Sequence, residues 1–258
     1  MTATPNTVPA SAADDSPRLP SRWSATLAEP FARWAGAVPG IQAVVVGCGP
    51  GVLASFLVDL LGEGHVAALD PSPESVAACR RRLPGIDVRR APLDAIPFDR
   101  RFDLATAHLA WDALPHPAPA LGEMVRVVQP GGKVAVTVWD AEGPGVLNHL
   151  ADACASALGD TAPPGPPALD LGRPGELTHL FEDAGLTGVR EIVLTTTVTH
   201  RDFDELWSSL EQGLGLLADL PPVARAPVRE ELFERVGSPQ GPFALELSAR
   251  CCRGVVAR

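Results

Sequence analysis

The chain has 258 residues and a formal charge of −10, from 21 Lys and Arg against 31 Asp and Glu with His neutral. Lys133 is the only lysine and there is no tyrosine, so no phenol serves as acid or base and a Schiff base forms at Lys133 or nowhere. The acidic balance argues against a nucleic-acid or anionic-membrane surface, because phosphate binding needs clustered Lys and Arg, and the pairs Arg81–Arg82 and Arg89–Arg90 are short and separated by apolar residues.

Residues 1–20 are rich in Pro, Ala, Ser and Thr and read as a disordered tail. With neither a basic nor an apolar region, they do not read as a signal peptide. Trp23, Leu27, Phe31 and Trp34 recur at helical spacing, which predicts an amphipathic helix over 22–37. Alternating patterns then predict strands at 42–46, 65–69, 86–89, 102–107 and 133–139. Helices are predicted at 51–62, 73–83 and 117–127. Strand runs such as AVVV and KVAVTVW are apolar without alternation, so the βαβ rhythm predicts a parallel sheet covered on both faces. The most apolar window, Ala43–Leu61, contains three glycines, Pro50 and Asp59 and does not read as a membrane span.

The rhythm breaks after Asp140. A helix at 144–158, a proline-rich loop at 161–170 and a helix at 174–184 closed by Gly185 follow. A strand at 188–198, helices at 203–218 and 223–236, and a last strand at 243–256 complete the chain. Leu206, Trp207, Leu210, Leu214 and Leu217 share one helical face. Segments 141–172 and 201–240 interrupt the α/β pattern, which makes them candidates for a substrate cover.

AVVVGCGPG at 43–51 sets Gly47, Cys48, Gly49 and Gly51 between a buried strand and a helix. Glycines there allow positive φ and a close approach of backbone to a ligand. Asp70 ends the second strand, 21 residues after Gly49, where a carboxylate can accept two hydrogen bonds from a ribose diol. A dinucleotide site prefers GxGxxG, whose third glycine falls on Val52. The observed GxGxG favours S-adenosylmethionine, which has no pyrophosphate to seat. The cysteines Cys48, Cys79, Cys154, Cys251 and Cys252 are odd in number and lack a CxxC spacing, so neither a zinc site nor a disulfide framework is expected. Cys48 reads as a small buried loop residue.

The segments WSATLAEPFARWAG, VVVGCGPGVLA, HVAALDPSPESVAACRRR, APLDAIPFDRRFDLATAHLAWDALPHPAPALGEMVRVVQPGGKVAVTVW and LGRPGELTHLFEDAGL occur in that order. Together they resemble class I S-adenosylmethionine (SAM)-dependent methyltransferases of the ubiquinone/menaquinone-biosynthesis type, over roughly residues 22–200. The resemblance implies a Rossmann-like α/β fold, a seven-stranded mostly parallel sheet with an antiparallel last strand, as one domain over 21–258. It implies SAM as cofactor and S-adenosylhomocysteine as product. Gly47, Gly49 and Gly51 would pass beneath the methionine part and the ribose. Asp70 would hold the ribose hydroxyls, with Pro71 and Ser72 beside the adenine. Leu93 and Asp94 would border the adenine, and His108 would face the methionine part or the substrate. Two positions depart from the family pattern. Val45 stands where an acid is usual, and Pro92 stands where an aspartate usually takes the adenine amine.

Methyl transfer is an in-line displacement whose main demand is alignment, and an O–H or N–H acceptor also needs a base. Ligands of open α/β sheets bind at the carboxyl ends of the strands. That rule selects His108 as candidate base, with Trp111, Asp112, Trp139 and Asp140 nearby and His149 on the following helix. The apolar covers predict a small, partly hydrophobic acceptor, and composition with the breadth of the family points to bacterial secondary metabolism. From the charge, cysteine and N-terminal readings above, a cytoplasmic protein with no metal, nucleic-acid or membrane partner is expected, as a monomer or homodimer. The other readings are a cyclase or isomerase on the same scaffold, a non-catalytic binding module and, last, a nicotinamide-dependent dehydrogenase.

Overall fold

The computed structural model describes residues 20–99, 101–111, 114–159, 162, 170–213, 217 and 220–257. In chain order these form α1 (Pro20–Ala35), β1 (Ala43–Val46), α2 (Val52–Leu61), a 3-10 turn (Glu63–His65), β2 (Val66–Asp70), α3 (Pro73–Arg82), β3 (Asp87–Arg90), β4 (Phe102–His108), α4 (Pro117–Val127) and β5 (Val128–Trp139). Then come α5 (Val146–Leu158), α6 (Glu176–Asp183), β6 (Thr187–His200), α7 (Phe203–Gly213), α8 (Pro222–Arg235) and β7 (Phe243–Val255).

The seven strands make one sheet in the order β3-β2-β1-β4-β5-β7-β6. β1 to β5 pair in parallel, and β7 runs antiparallel to both its neighbours. The strand order runs outward from β1 to β3 and restarts at β4. The crevice at this reversal, at the strands' carboxyl ends, is where such sheets take their ligands.

Successive residues of a strand face opposite sides. Val44 and Val46 of β1 accordingly join one buried cluster, with Leu121, Met124, Leu177 and Phe181 of α4 and α6. Ala43 and Val45 join another, with Phe31, Leu57 and Val76 of α1, α2 and α3. Burial on both faces is why the central strands carry no polar alternation. A third cluster gathers Trp23 and Leu27 of α1, Trp139 at the end of β5, and apolar residues of α5, α7 and α8 such as Leu150, Leu206 and Leu232. The helices α5, α7 and α8 of the two interrupting segments thus pack with α1 into one helical layer beside the β5 carboxyl end. Leu210 and Leu217 are buried in that layer, whereas Leu214 lies outside the described residues.

Many element ends differ from the sequence expectation by a residue or two, and the start of β5 differs by five. β5 starts at Val128 rather than 133, because Val128 already pairs with Phe102 and the register shifts before Leu104 meets Lys133. Gly131, at φ +82°, takes up that irregularity. α1 begins at Pro20, inside the segment expected to be a tail. Residues 1–19 and most of the proline-rich loop 161–170 lie outside the described residues.

Candidate active site

The glycine loop is built against the end of β2. The Gly47 and Cys48 N–H groups both donate to the Leu69 carbonyl at 2.9 Å, and Gly51 N–H donates to Cys48 O at 2.9 Å. Gly47, Gly49 and Gly51 take φ of +76°, +52° and +91°, a region that glycine enters at little cost. Their surroundings differ. A Cβ on Gly47 would lie 2.4 Å from the Ala110 Cβ, so the loop after β4 packs directly on it. A Cβ on Gly51 would lie 3.0 Å from the Cys79 sulfur on α3. A Cβ on Gly49 would meet nothing within 4 Å. Gly49 is the open floor of the loop.

Asp70 stands beside that floor. Its Oδ2 accepts from Gly49 N–H at 2.8 Å and its Oδ1 from Ser72 N–H at 2.9 Å. The residue is 8% exposed, so its carboxylate is fixed as well as buried. Each oxygen keeps a lone pair for a further donor, such as one hydroxyl of a ribose diol. An open glycine floor with an immobilised carboxylate at its edge fits the adenosine part of SAM. Ser72 also caps α3, its hydroxyl accepting from Ser75 N–H at 3.2 Å.

The remaining expected cofactor contacts divide. Leu93 is buried, with its Cδ2 3.8 Å from the Cβ position of Gly47, and so borders the loop. Pro71 and Asp94 are exposed. Pro92 is exposed too, and its carbonyl accepts from Ala95 N–H at 3.2 Å. Val45 is 1% exposed among Leu57, Leu53 and Ala68, where an unpaired carboxylate would cost several kcal/mol, on the order of the burial penalty for an ion. The Cys48 thiol is pushed far up by its hydrogen bond to Cys79 and then by burial and the Asp70 charge. It stays protonated and is no nucleophile.

His108 ends β4 beneath α1. Its ring stacks on Phe31 at 5.3 Å and 15°, and Nε2 lies 3.0 Å from the Ser24 carbonyl. That partner only accepts, so Nε2 carries the proton and Nδ1 holds a bare lone pair. Nδ1 is buried without a partner among the described residues, as is the Trp111 indole N–H. Burial lowers the His108 pKa to about 4, outweighing the opposing bond to Ser24. The ring is therefore neutral at pH 7 and able to accept a proton, as a weak base. His116 is exposed at the start of α4, His149 is half-buried on α5, and Asp112 lies outside the described residues.

At the end of β5, Trp139 packs edge-on against Trp23 of α1, with centroids 6.2 Å apart and planes at 87°. The two rings line a crevice with Asp140, Val146, Asn148 and Leu247. The crevice has a volume of ≈ 10 Å³, about enough for one water. Behind it, Arg250 of β7 donates to Asp140 Oδ1 at 2.6 Å, Glu191 Oε1 at 2.9 Å and the Gly172 carbonyl at 2.8 Å. Glu191 also accepts from Thr178 and Gly175; these bonds with Arg250 hold its pKa below the usual range against the opposing effect of burial. Sequence reasoning found Asp140 and missed Arg250 and Glu191. The available signal was a charge in each of two long strands that pair with each other.

Residues 44–136 match a family model described as a methyltransferase domain. Over 99 residues the chain is 36% identical to the trans-aconitate 2-methyltransferase of Methylobacterium nodulans, a stretch covering 38% of each protein. It is 35% identical over 99 residues to the phthiotriol/phenolphthiotriol dimycocerosates methyltransferase of Mycobacterium leprae, covering 37% of each. The match therefore spans little more than a third of the length of these relatives. In overall shape the chain resembles the YcgJ protein of Bacillus subtilis, with a TM-score of 0.61 at 16% identity, covering 92% of this chain and 99% of the other. Residues 44–136 thus match a methyltransferase domain, set in a chain with a Rossmann-like seven-stranded fold.

Proposed function

We propose that this protein transfers a methyl group from SAM to a small, partly hydrophobic acceptor and releases S-adenosylhomocysteine. The observation that carries the proposal is the 2.8 Å bond from Gly49 N–H to the buried Asp70 carboxylate, beside an open glycine floor. It joins the two elements that a SAM site needs, at the switch point of the sheet.

When bound, the cofactor supplies an electrophilic methyl group on a sulfonium. Every other requirement falls on the chain. Gly47, Cys48, Gly49 and Gly51 give the cofactor its backbone floor, Asp70 holds the ribose, and Leu93 walls the adenine side; Pro71 and Asp94 stand at the exposed rim. The neutral His108 keeps an unprotonated Nδ1 at the end of β4 to accept a proton from the acceptor. The layer built from α1, α5, α7 and α8 excludes water and holds the acceptor in line, and orientation of this kind can supply several kcal/mol. Secondary metabolism and a cytoplasmic location remain part of this reading, as does action as a monomer or homodimer.

Calorimetric titration tests the cofactor site, and liberated S-adenosylhomocysteine tests the reaction. SAM and S-adenosylhomocysteine should each bind. Asp70→Ala should weaken binding by about 10- to 100-fold, the worth of charge-assisted hydrogen bonds of about 1.5–3 kcal/mol. Absence of heat at millimolar cofactor would overturn the assignment. Turnover of an acceptor without S-adenosylhomocysteine would select a cyclase or isomerase instead.

A further inference from the structure

Two cysteines meet beneath the glycine loop. Cys48 lies in the loop itself and Cys79 on α3, and their thiols are hydrogen-bonded to each other. Both are free thiols, 6% and 0% exposed. The helix is packed hard against the loop at this point. From the position a Cβ would take on Gly51, the Cys79 sulfur lies at 3.0 Å and the Cys79 Cα at 3.5 Å. Gly51 closes the tight turn that begins at Cys48, whose carbonyl accepts its N–H at 2.9 Å. The Asp70 charge acts on both thiols, and its carboxylate accepts from the next loop residue, Gly49, at 2.8 Å. The thiol pair, the loop and the ribose acid form one cluster.

The other cysteines are placed differently. Cys251 and Cys252 are consecutive in β7 and join the clusters on opposite faces of the sheet. Cys154 sits on α5 in the third cluster. Methyl transfer makes no use of the Cys48–Cys79 pair, whose two members have unequal roles. The hydrogen bond from Cys48, with the charges of Arg82 and Arg80, lowers the Cys79 pKa against the opposing effects of burial and Asp70. Cys48 is thus the donor, and Cys79 is the sulfur that carries negative charge. A thiolate is the form that oxidants meet, and a second thiol in contact with it captures the product as a disulfide. The pair lies just under the open floor, since the neighbouring Gly49 has nothing within 4 Å of its Cβ position.

Building on the SAM site proposed above, we propose that Cys48 and Cys79 are an oxidation site, at which a peroxide joins them in a disulfide that disables cofactor binding. The Cys79 thiolate attacks one peroxide oxygen, the O–O bond breaks, and hydroxide leaves a sulfenic acid on Cys79. That hydroxide takes the Cys48 thiol proton and becomes water. The Cys48 sulfur then displaces hydroxide from the Cys79 sulfur, which forms the S–S bond. Each sulfur gives up one electron and the peroxide takes both. An S–S bond of ~2.05 Å is far shorter than a thiol hydrogen bond, so the link draws residue 48 toward α3. The bonds from Cys48 N–H to the Leu69 carbonyl and from Gly49 N–H to Asp70 hold the floor against the ribose acid, and both are strained by that shift.

The test uses the reduced full-length protein and hydrogen peroxide. Treated protein is alkylated and its disulfides are mapped by peptide mass spectrometry. SAM binding is measured by calorimetry before treatment, after it, and after dithiothreitol. A Cys48–Cys79 cross-link should form, SAM affinity should fall by roughly tenfold or more, and dithiothreitol should restore it. Cys79→Ala should bind SAM as the wild type does and keep that affinity in peroxide. The proposal is overturned by the absence of this cross-link, or by a cross-linked protein that binds SAM as the reduced one does. A loss of binding that dithiothreitol does not reverse, or that Cys79→Ala shares, also overturns it. The wild-type map decides the matter even where Cys79→Ala fails to fold. A reduced wild-type protein that binds no SAM would instead sink the methyltransferase reading, and the cross-link map needs no cofactor, so the two failures are distinguishable.

Discussion

Two glycines of one loop separate binding from stability. Gly49→Ala places a methyl where the protein has nothing within 4 Å. The cost to folding is the left-handed backbone alone, about 1–2 kcal/mol. The same methyl stands on the cofactor's floor, so SAM affinity should fall by more than about tenfold, a steric loss above 1.4 kcal/mol. Gly47→Ala drives its methyl to 2.4 Å from Ala110 and should cost a further 1–3 kcal/mol or so of overpacking. Urea midpoints and SAM calorimetry on both variants check this; equal stability losses would mean that the close approach of Ala110 does not matter. Spacing alone made the loop and Asp70 legible, because a tight βα turn needs glycine whatever it binds. The division of labour among the glycines was not legible, since it depends on Ala110 and Cys79, distant in sequence. His108 was legible as a strand-end residue, but its burial under Phe31 and Ser24 was not. Its pKa is lowered to about 4 from 6.5, so the unfolded chain takes up a proton in that interval and the folded one does not. The stabilising contribution is complete above pH 6.5 and is lost as pH falls toward 4. It amounts to about 3 kcal/mol at the acid limit, by the linkage of 1.36 kcal/mol per unit. His200, also lowered by burial, acts in the same direction. His108→Gln should therefore flatten the fall in stability between pH 6.5 and 4 without abolishing it. Denaturation at pH 5 and 7.5 gives the comparison, and an unchanged slope would refute the assignment.

Elements were legible where one period dominates. The Val-rich strands and the α4 stripe of Ala120, Leu121, Met124 and Val127 came out close to their observed bounds, because burial on one or both faces imposes the pattern. Gly185 was legible as a helix stop, and the structure shows why. Its N–H donates to Glu182 O at 2.9 Å and Leu186 N–H to Phe181 O at 3.1 Å, the two bonds of a Schellman motif. The start of β5 was hidden by Pro130 and two glycines, residues that usually punctuate a strand. The ends of the segment 141–172 are joined by long-range bonds that no local pattern announces. Gly172 O accepts from Ala141 N–H at 3.1 Å and from Arg250 at 2.8 Å. A Cβ on Gly172 would stand 2.1 Å from the Trp139 carbonyl and 2.9 Å from Ala141 N. Both neighbours are backbone and cannot turn aside. Gly172→Ala should open this junction at a cost on the order of 1–3 kcal/mol, the range for overpacking. It should also speed proteolysis within 141–172 in limited digestion; cleavage at the wild-type rate would show that the junction does not hold the segment.

Across the whole molecule, the Arg250 triad ties β5, β6, β7 and both ends of the 141–172 segment together. Such a buried network has an asymmetric energetic role. Two carboxylates and a guanidinium taken out of water recover little more than their desolvation cost, while removing one partner strands the others. Arg250→Met should be the most damaging single change in the group. It leaves Asp140 and Glu191 buried without their cation and should destabilise the fold by about 3–5 kcal/mol. Neutralising all three, as Asp140→Asn with Glu191→Gln and Arg250→Met, removes the stranded charges and should recover most of that loss. The pH dependence gives an independent check. Glu191 is held below its ordinary range, so its contribution is present above the unfolded carboxylate pKa and is lost as pH falls through the folded value. With Arg250 removed the sign reverses, because two uncompensated carboxylates favour protonation, and the Arg250→Met protein should become more stable on mild acidification. Urea denaturation of the wild type, the single variant and the triple variant at pH 7.5 and 5.5 measures both effects. A triple variant as unstable as Arg250→Met would mean that geometry, rather than charge balance, is what this network supplies.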